Sequence, residues 1–268
     1  MDTPKSTGYA PVNGLNLYYE VHGTGEPLVL IHGGILPSNI TGPTLERLAE
    51  TRQVIVPHMQ GHGHTPDIDR PLCYETMADD VAALIEHLEL GQVDLMGYSM
   101  GAGVALQTTI RYPGRVRRLV LVARAMQSDG YYPEVRESFK AMAGNATTVG
   151  GHLQASPLAE QYPEVDWVRL FTKTGEMVSQ SYDWSEDVAA LGTPTMLVYA
   201  DADCIDPGHM AAFYKKLGGG QRDAGLDGSL RPVARLAILP DTTHYNVMDS
   251  TRVAELVLPF LGTAFTRL

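Results

Sequence analysis

A chain of 268 residues with 20 basic and 31 acidic side chains carries a formal charge of −11, which disfavours a nucleic-acid or anionic-membrane surface and fits small-molecule chemistry. The length suits one large α/β domain with a small insertion rather than two full domains. Residues 1–11 hold one lysine and no apolar leader, no run approaches bilayer-spanning length, and Cys73 and Cys204 make no C-x-x-C pair; the expectation is a cytoplasmic protein with two free thiols and no membrane partner.

The turn Asn13-Gly14 before the weakly alternating run 16–21 predicts a hairpin on a sheet edge. Residues 27–31 are continuously apolar, as a strand buried on both faces requires, and they end at His32-Gly33-Gly34. A helix over 43–51 and a second buried strand over 53–57 follow. Next comes His58-Met59-Gln60-Gly61-His62-Gly63-His64. Three histidines at this spacing invite a metal, but no cysteine or carboxylate lies among them to complete a closed site, so a turn of hydrogen-bonded histidines is expected and no metal. Residues 75–90 form an amphipathic helix, with Met77, Val81, Leu84, Ile85 and Leu88 on one stripe.

The run 93–96 is strand-like, 102–112 is helical, and between them stands Gly97-Tyr98-Ser99-Met100-Gly101-Ala102-Gly103. Strand, sharp turn and helix with a serine at the apex and glycines around it are what a nucleophile elbow needs, because the strained serine backbone brings strand and helix close together. A strand over 116–122 ends at Ala123-Arg124-Ala125-Met126 without a carboxylate. Arg124 either grips a substrate carboxylate or pairs with an acid of the following insertion or a loop. From 127 to 192 the strand signals stop, and helical pieces are predicted over 134–143, 146–153, 167–181 and 185–191. They hold Tyr131, Tyr132, Phe139, Met142, Trp167, Phe171, Met177 and Trp184. These side chains either form the insertion's own core or line an apolar pocket.

A strand over 194–199 delivers Asp201 and Asp203, and Asp206 suits the N-cap of a helix over 208–217. The Gly/Asp-rich stretch 218–231 reads as an exposed loop, since its spacing matches no calcium loop. The last strand covers 234–239, with His244 in the loop after it and a closing helix over 251–261.

Nucleophile, acid and histidine in that chain order resemble the α/β-hydrolases over nearly the whole chain, from Gly8 to Phe265. Within that family the likeness is to esterases, lactonases, carbon–carbon bond hydrolases and cofactor-free haloperoxidases. The resemblance implies an α/β fold with a mostly parallel central sheet and helices on both faces. It places the core at 1–126 and 193–268 and a helical cap at 127–192. It assigns Ser99 as nucleophile, His244 as base and Asp203, rather than Asp201, as acid. Gly34, after His-Gly, and Met100 would supply the oxyanion amides. The family's Asp-x-x-G-x-G turn is departed from at its first position, where His58 stands. Serine in the elbow sets the chain apart from dehalogenases and epoxide hydrolases, which use aspartate there.

The function so implied is hydrolysis of small, apolar carboxylic esters by acyl transfer, in a monomer or homodimer, with no cofactor and no nucleic-acid partner. The alternatives are a lactone substrate (N-acyl homoserine lactones included), a carbon–carbon bond, perhydrolysis, or a non-catalytic receptor. Tyr131, Phe139, Trp167 and Trp184 are the expected substrate-binding residues.

Overall fold

Eight strands form one sheet in a computed structural model that describes residues 3–37 and 42–262. The strands are β1 (Ser6–Val12), β2 (Leu15–His22), β3 (Glu26–Ile31), β4 (Arg52–Pro57), β5 (Val93–Tyr98), β6 (Val116–Val122), β7 (Thr195–Ala202) and β8 (Arg235–Thr243). Their order is β1-β2-β4-β3-β5-β6-β7-β8. β2 runs antiparallel to both neighbours, and every pairing from β4 to β8 is parallel. The fold class is the one the sequence implies.

The continuous apolar strands follow from this layering, because alternate side chains of one strand feed two different cores. Val29 and Ile31 of β3 join one cluster while Leu28 and Leu30 join the other. The first cluster is covered by α2 (Tyr74–His87), α3 (Met100–Arg111) and α9 (Pro207–Lys216), and the second by α1 (Pro43–Ala49) and α10 (Arg252–Gly262). Met77, Val81, Leu84 and Ile85 face the first cluster as predicted.

Strand order reverses at β3: the chain moves outward to β4, then returns to pair β5 on the other side of β3. Ligands of open α/β sheets gather at the carboxyl ends of strands beside such a switch point. Here His32-Gly33-Gly34 leaves β3 and Ser99 leaves β5 at that place.

Between β6 and β7 lie α4 (Pro133–Met142), α5 (Ala146–Gln154), α6 (Pro157–Gln161), α7 (Trp167–Val178) and α8 (Ser185–Ala189). The short α6 is not foreseen by the sequence reading. The neck of this insertion is closed by a bridge between Gln127 and Asp183 and by the amide of Trp184 on the carbonyl of Met126. α7 organises the insertion: Trp167, Leu170, Thr174 and Met177 are buried on one face, at helical spacing. Among the described residues no helix is long and apolar enough to cross a membrane.

Candidate active site

Ser99 turns β5 into α3 within one residue, at φ 53° and ψ −113°. Left-handed backbone is costly for a residue with a side chain, and the surroundings must hold it there. They do so by close packing. A Cβ on Gly97 would fall on the carbonyl of Gly101, and one on Gly101 would fall on the carbonyls of Ile31 and His32. Gly103 has another use, since a Cβ there would meet Tyr74 at 2.7 Å and the guanidinium carbon of Arg124 at 2.9 Å.

His244 directly follows β8. Its Nε2 lies 3.0 Å from Ser99 Oγ and its Nδ1 lies 2.9 Å from Asp203 Oδ1. The Asp203 carboxylate is buried, with Oδ1 also accepting from the Cys204 amide at 2.8 Å and Oδ2 accepting from the Ala200 amide at 3.2 Å. An acceptor facing Nδ1 keeps the proton there and leaves the Nε2 lone pair for the serine hydroxyl. The Tyr98 hydroxyl donates to the His244 carbonyl at 2.6 Å, fixing the backbone behind the ring. Cys204 Sγ stands 3.3 Å from Nδ1. Burial, reinforced by the charge of Asp203, pushes its thiol pKa up and keeps it neutral.

Asp201 has a different task. Its two carboxylate oxygens accept from the amides of Asp241 and Thr242 at 3.1 and 3.0 Å. This clamp sits at an irregularity in the β7–β8 pairing, where Ala202 pairs with Thr243. Both strands therefore run past their predicted ends, and His244 follows its strand at once.

Gly34 and Met100 lie side by side next to Ser99, and a Cβ on Gly34 would sit 3.8 Å from that of Met100. The loop carrying Gly34 is pinned by His32, whose Nε2 accepts from the Met59 amide at 3.0 Å while Nδ1 donates to the Gly33 carbonyl at 2.6 Å. That pair of bonds admits only the neutral ring, and burial lowers its pKa accordingly. The neighbouring histidines are also engaged with the backbone. His58 Nδ1 accepts from the His64 amide, and His62 Nδ1 meets the Gln60 carbonyl. Burial lowers both His58 and His62 to about 4. Neutral, backbone-bound rings are the hydrogen-bonded turn the sequence suggests.

A family model described as the alpha/beta hydrolase fold matches residues 26–148. A thermophilic esterase from Thermogutta terrifontis superposes with a TM-score of 0.70 at 23% identity, covering 97% of this chain and 98% of that one. The chain has the α/β-hydrolase fold. It is 27% identical over 199 residues to the (E)-2-((N-methylformamido)methylene)succinate hydrolase of Acinetobacter baylyi, 70% of this chain and 71% of that protein. Over 107 residues it is 38% identical to the 2-hydroxymuconate semialdehyde hydrolase of Pseudomonas sp. strain CF600, and this match spans 38% of each chain. Its relatives are hydrolases of several kinds.

In this α/β-hydrolase fold a cavity of about 570 Å³ lies between the sheet and the insertion, and Gly34, Ser99, Met100 and His244 all line it. Tyr131 and Phe139 line it too, with ring centroids 5.3 Å apart in an edge-to-face pair. Trp167 and Trp184 are corrections. Trp167 is wholly buried in the core face of α7, where the largest side chain of an amphipathic stripe packs best. Trp184 is buried behind the wall, with its ring 4.3 Å from that of Tyr182 and 5.3 Å from that of Tyr74. Phe171, one of the insertion's aromatic side chains, lines the cavity as well, and Tyr74 and Tyr182 line it without having been singled out. Tyr74 opens a helix whose stripe explains it as core, and no local signal marks it otherwise.

Proposed function

We propose that this chain is a serine hydrolase that cleaves carboxylic esters through an acyl-enzyme, with residues 127–192 as the cap over its site. The observation that carries the reading is the unbroken line from Ser99 Oγ to His244 Nε2 at 3.0 Å and from Nδ1 to Asp203 at 2.9 Å, opening on a cavity. Ser99 Oγ attacks the ester carbonyl while His244 takes its proton. Asp203 stabilises the imidazolium so formed, and the amides of Gly34 and Met100 receive the developing oxyanion. As the carbonyl re-forms, His244 hands the proton to the departing alcohol. Water then repeats the sequence against the acyl group, with His244 as its base, and Ser99 is released.

An ester is the simplest substrate for this set, because its leaving group needs only the proton that His244 holds. A lactone uses the same atoms. The wall formed by Ile35, Val135, Phe139, Met142 and Phe171 favours a short-to-medium, mainly apolar acyl chain. Ser99→Ala is expected to lower kcat by about 10⁴- to 10⁶-fold and to abolish labelling by a fluorophosphonate, with circular dichroism unchanged. Label retained at another residue would overturn the assignment.

A further inference from the structure

One charge on the cavity wall has no countercharge. Arg124, just past β6, is 3% exposed and lines the same cavity as Ser99. Its Nη1 donates to the Tyr74 hydroxyl at 3.0 Å, and its guanidinium carbon lies 4.4, 4.7 and 5.0 Å from the ring centroids of Tyr74, Tyr182 and Trp184. Its Nε and Nη2 are buried and have no hydrogen-bond partner among the described residues. The protein treats other enclosed arginines differently: Arg52 pairs with buried Asp94, and Arg70 with buried Asp80. A guanidinium does not lose its proton, so Arg124 is a fixed cation. Aromatic faces offset part of its lost hydration, yet they leave the in-plane N–H groups unused.

The unused donors are the adjacent pair along one edge, the fork that matches two carboxylate oxygens. Arg117 shows that pairing within this chain, with Nε and Nη2 donating to the two oxygens of Asp94 at 2.9 and 2.8 Å. The position suits the site as well. The guanidinium packs against Gly103, four residues beyond Ser99 and so about 6 Å along the axis of α3.

We propose that Arg124 anchors a carboxylate on the acyl portion of the substrate, and that the enzyme prefers monoesters of short dicarboxylic acids over neutral esters of equal length. The inference rests on Ser99 as nucleophile and revises the expectation of a purely apolar substrate: the acyl chain crosses the apolar wall and ends on the guanidinium fork. Both nitrogens are closed to solvent, so the carboxylate reaches them as the aromatic side chains around Arg124 part.

The test compares kcat/KM for the p-nitrophenyl monoester of glutaric acid with that for p-nitrophenyl pentanoate, in the wild type, Arg124→Met and Arg124→Lys. The wild type is expected to favour the monoester by about 100-fold, the gain of one bidentate charge-assisted pair. Arg124→Met should erase that ratio, and Arg124→Lys should restore only a fraction of it. Calorimetric titration of the wild type adds a readout independent of turnover: free glutarate should bind and neutral glutaramide should not. This titration decides the matter if Arg124→Met does not fold. A wild-type ratio near one, a ratio that survives in Arg124→Met, or equal binding of glutarate and glutaramide would each overturn the proposal. Turnover that persists in Ser99→Ala would instead overturn the nucleophile, which separates the two failures.

Discussion

Replacing Asp203 by asparagine separates the charge of the acid from its hydrogen-bonding geometry. The asparagine has two orientations. With its carbonyl in the place of Oδ1 it keeps the bonds from Cys204 N and His244 Nδ1, at 2.8 and 2.9 Å, and sets its NH₂ against the Ala200 amide, formerly a 3.2 Å partner. The reverse orientation sets NH₂ against the Cys204 amide and against Nδ1, driving the histidine proton to Nε2, where it faces Ser99. The first loses one long bond, whereas the second loses the short Cys204 bond and must also shift the histidine proton, so the first is expected and the histidine tautomer survives. What disappears is the full negative charge opposite the imidazolium of the transition state. At about 4 Å and an effective dielectric near 20 that charge is worth roughly 4 kcal/mol, or about 10³-fold in rate. Steady-state hydrolysis of a chromogenic ester, with thermal unfolding as the control for folding, measures it. Asp201→Asn should cost less than about tenfold in kcat, since its carboxylate holds the amides of Asp241 and Thr242 and does not face the His244 ring. A loss below tenfold at Asp203, or a larger one at Asp201, would refute the reasoning.

Two further outcomes test the scaffold. Gly101→Ala should destabilise by about 3 kcal/mol or more, because its Cβ has no space beside the carbonyls of Ile31 and His32; a melting temperature within a degree of wild type would contradict the close approach. Acid should unfold the protein through its buried histidines. His58 and His62 titrate at about 4 when folded and at about 6.5 when unfolded, so between those values the unfolded chain binds more protons. Their stabilisation is therefore complete above about pH 6.5 and is lost as pH falls toward 4, at up to about 1.4 kcal/mol per pH unit for each ring. Urea midpoints that stay flat from pH 7 to pH 5, or that fall as steeply in His58→Gln, would contradict this.

Sequence order and spacing proved legible where local geometry dictates composition. Ser99 needs small neighbours in the chain, and buried parallel strands need apolar side chains on both faces, so the elbow and β3 to β7 announce themselves. The ends of β7 and β8 were not legible, because a carboxylate from one strand capturing amides of the next is a contact across 40 residues. The insertion's aromatic side chains were ambiguous for a related reason: at helical spacing a tryptophan serves a core and a pocket equally well, and only packing assigns Trp167 to the first and Phe139 to the second. Arg124 is the sharpest case. Its place after β6 was visible, and an acid partner was one expectation. Three rings drawn from α2 and from the insertion enclose it instead, and no carboxylate among the described residues lies within ion-pair distance of its unpaired edge. The enclosed Arg52 and Arg70 are each given an aspartate. Arg124 is held by ring faces instead, with its carboxylate-matching edge buried and unpaired among the described residues, which is the arrangement the proposed anchoring of a substrate carboxylate requires.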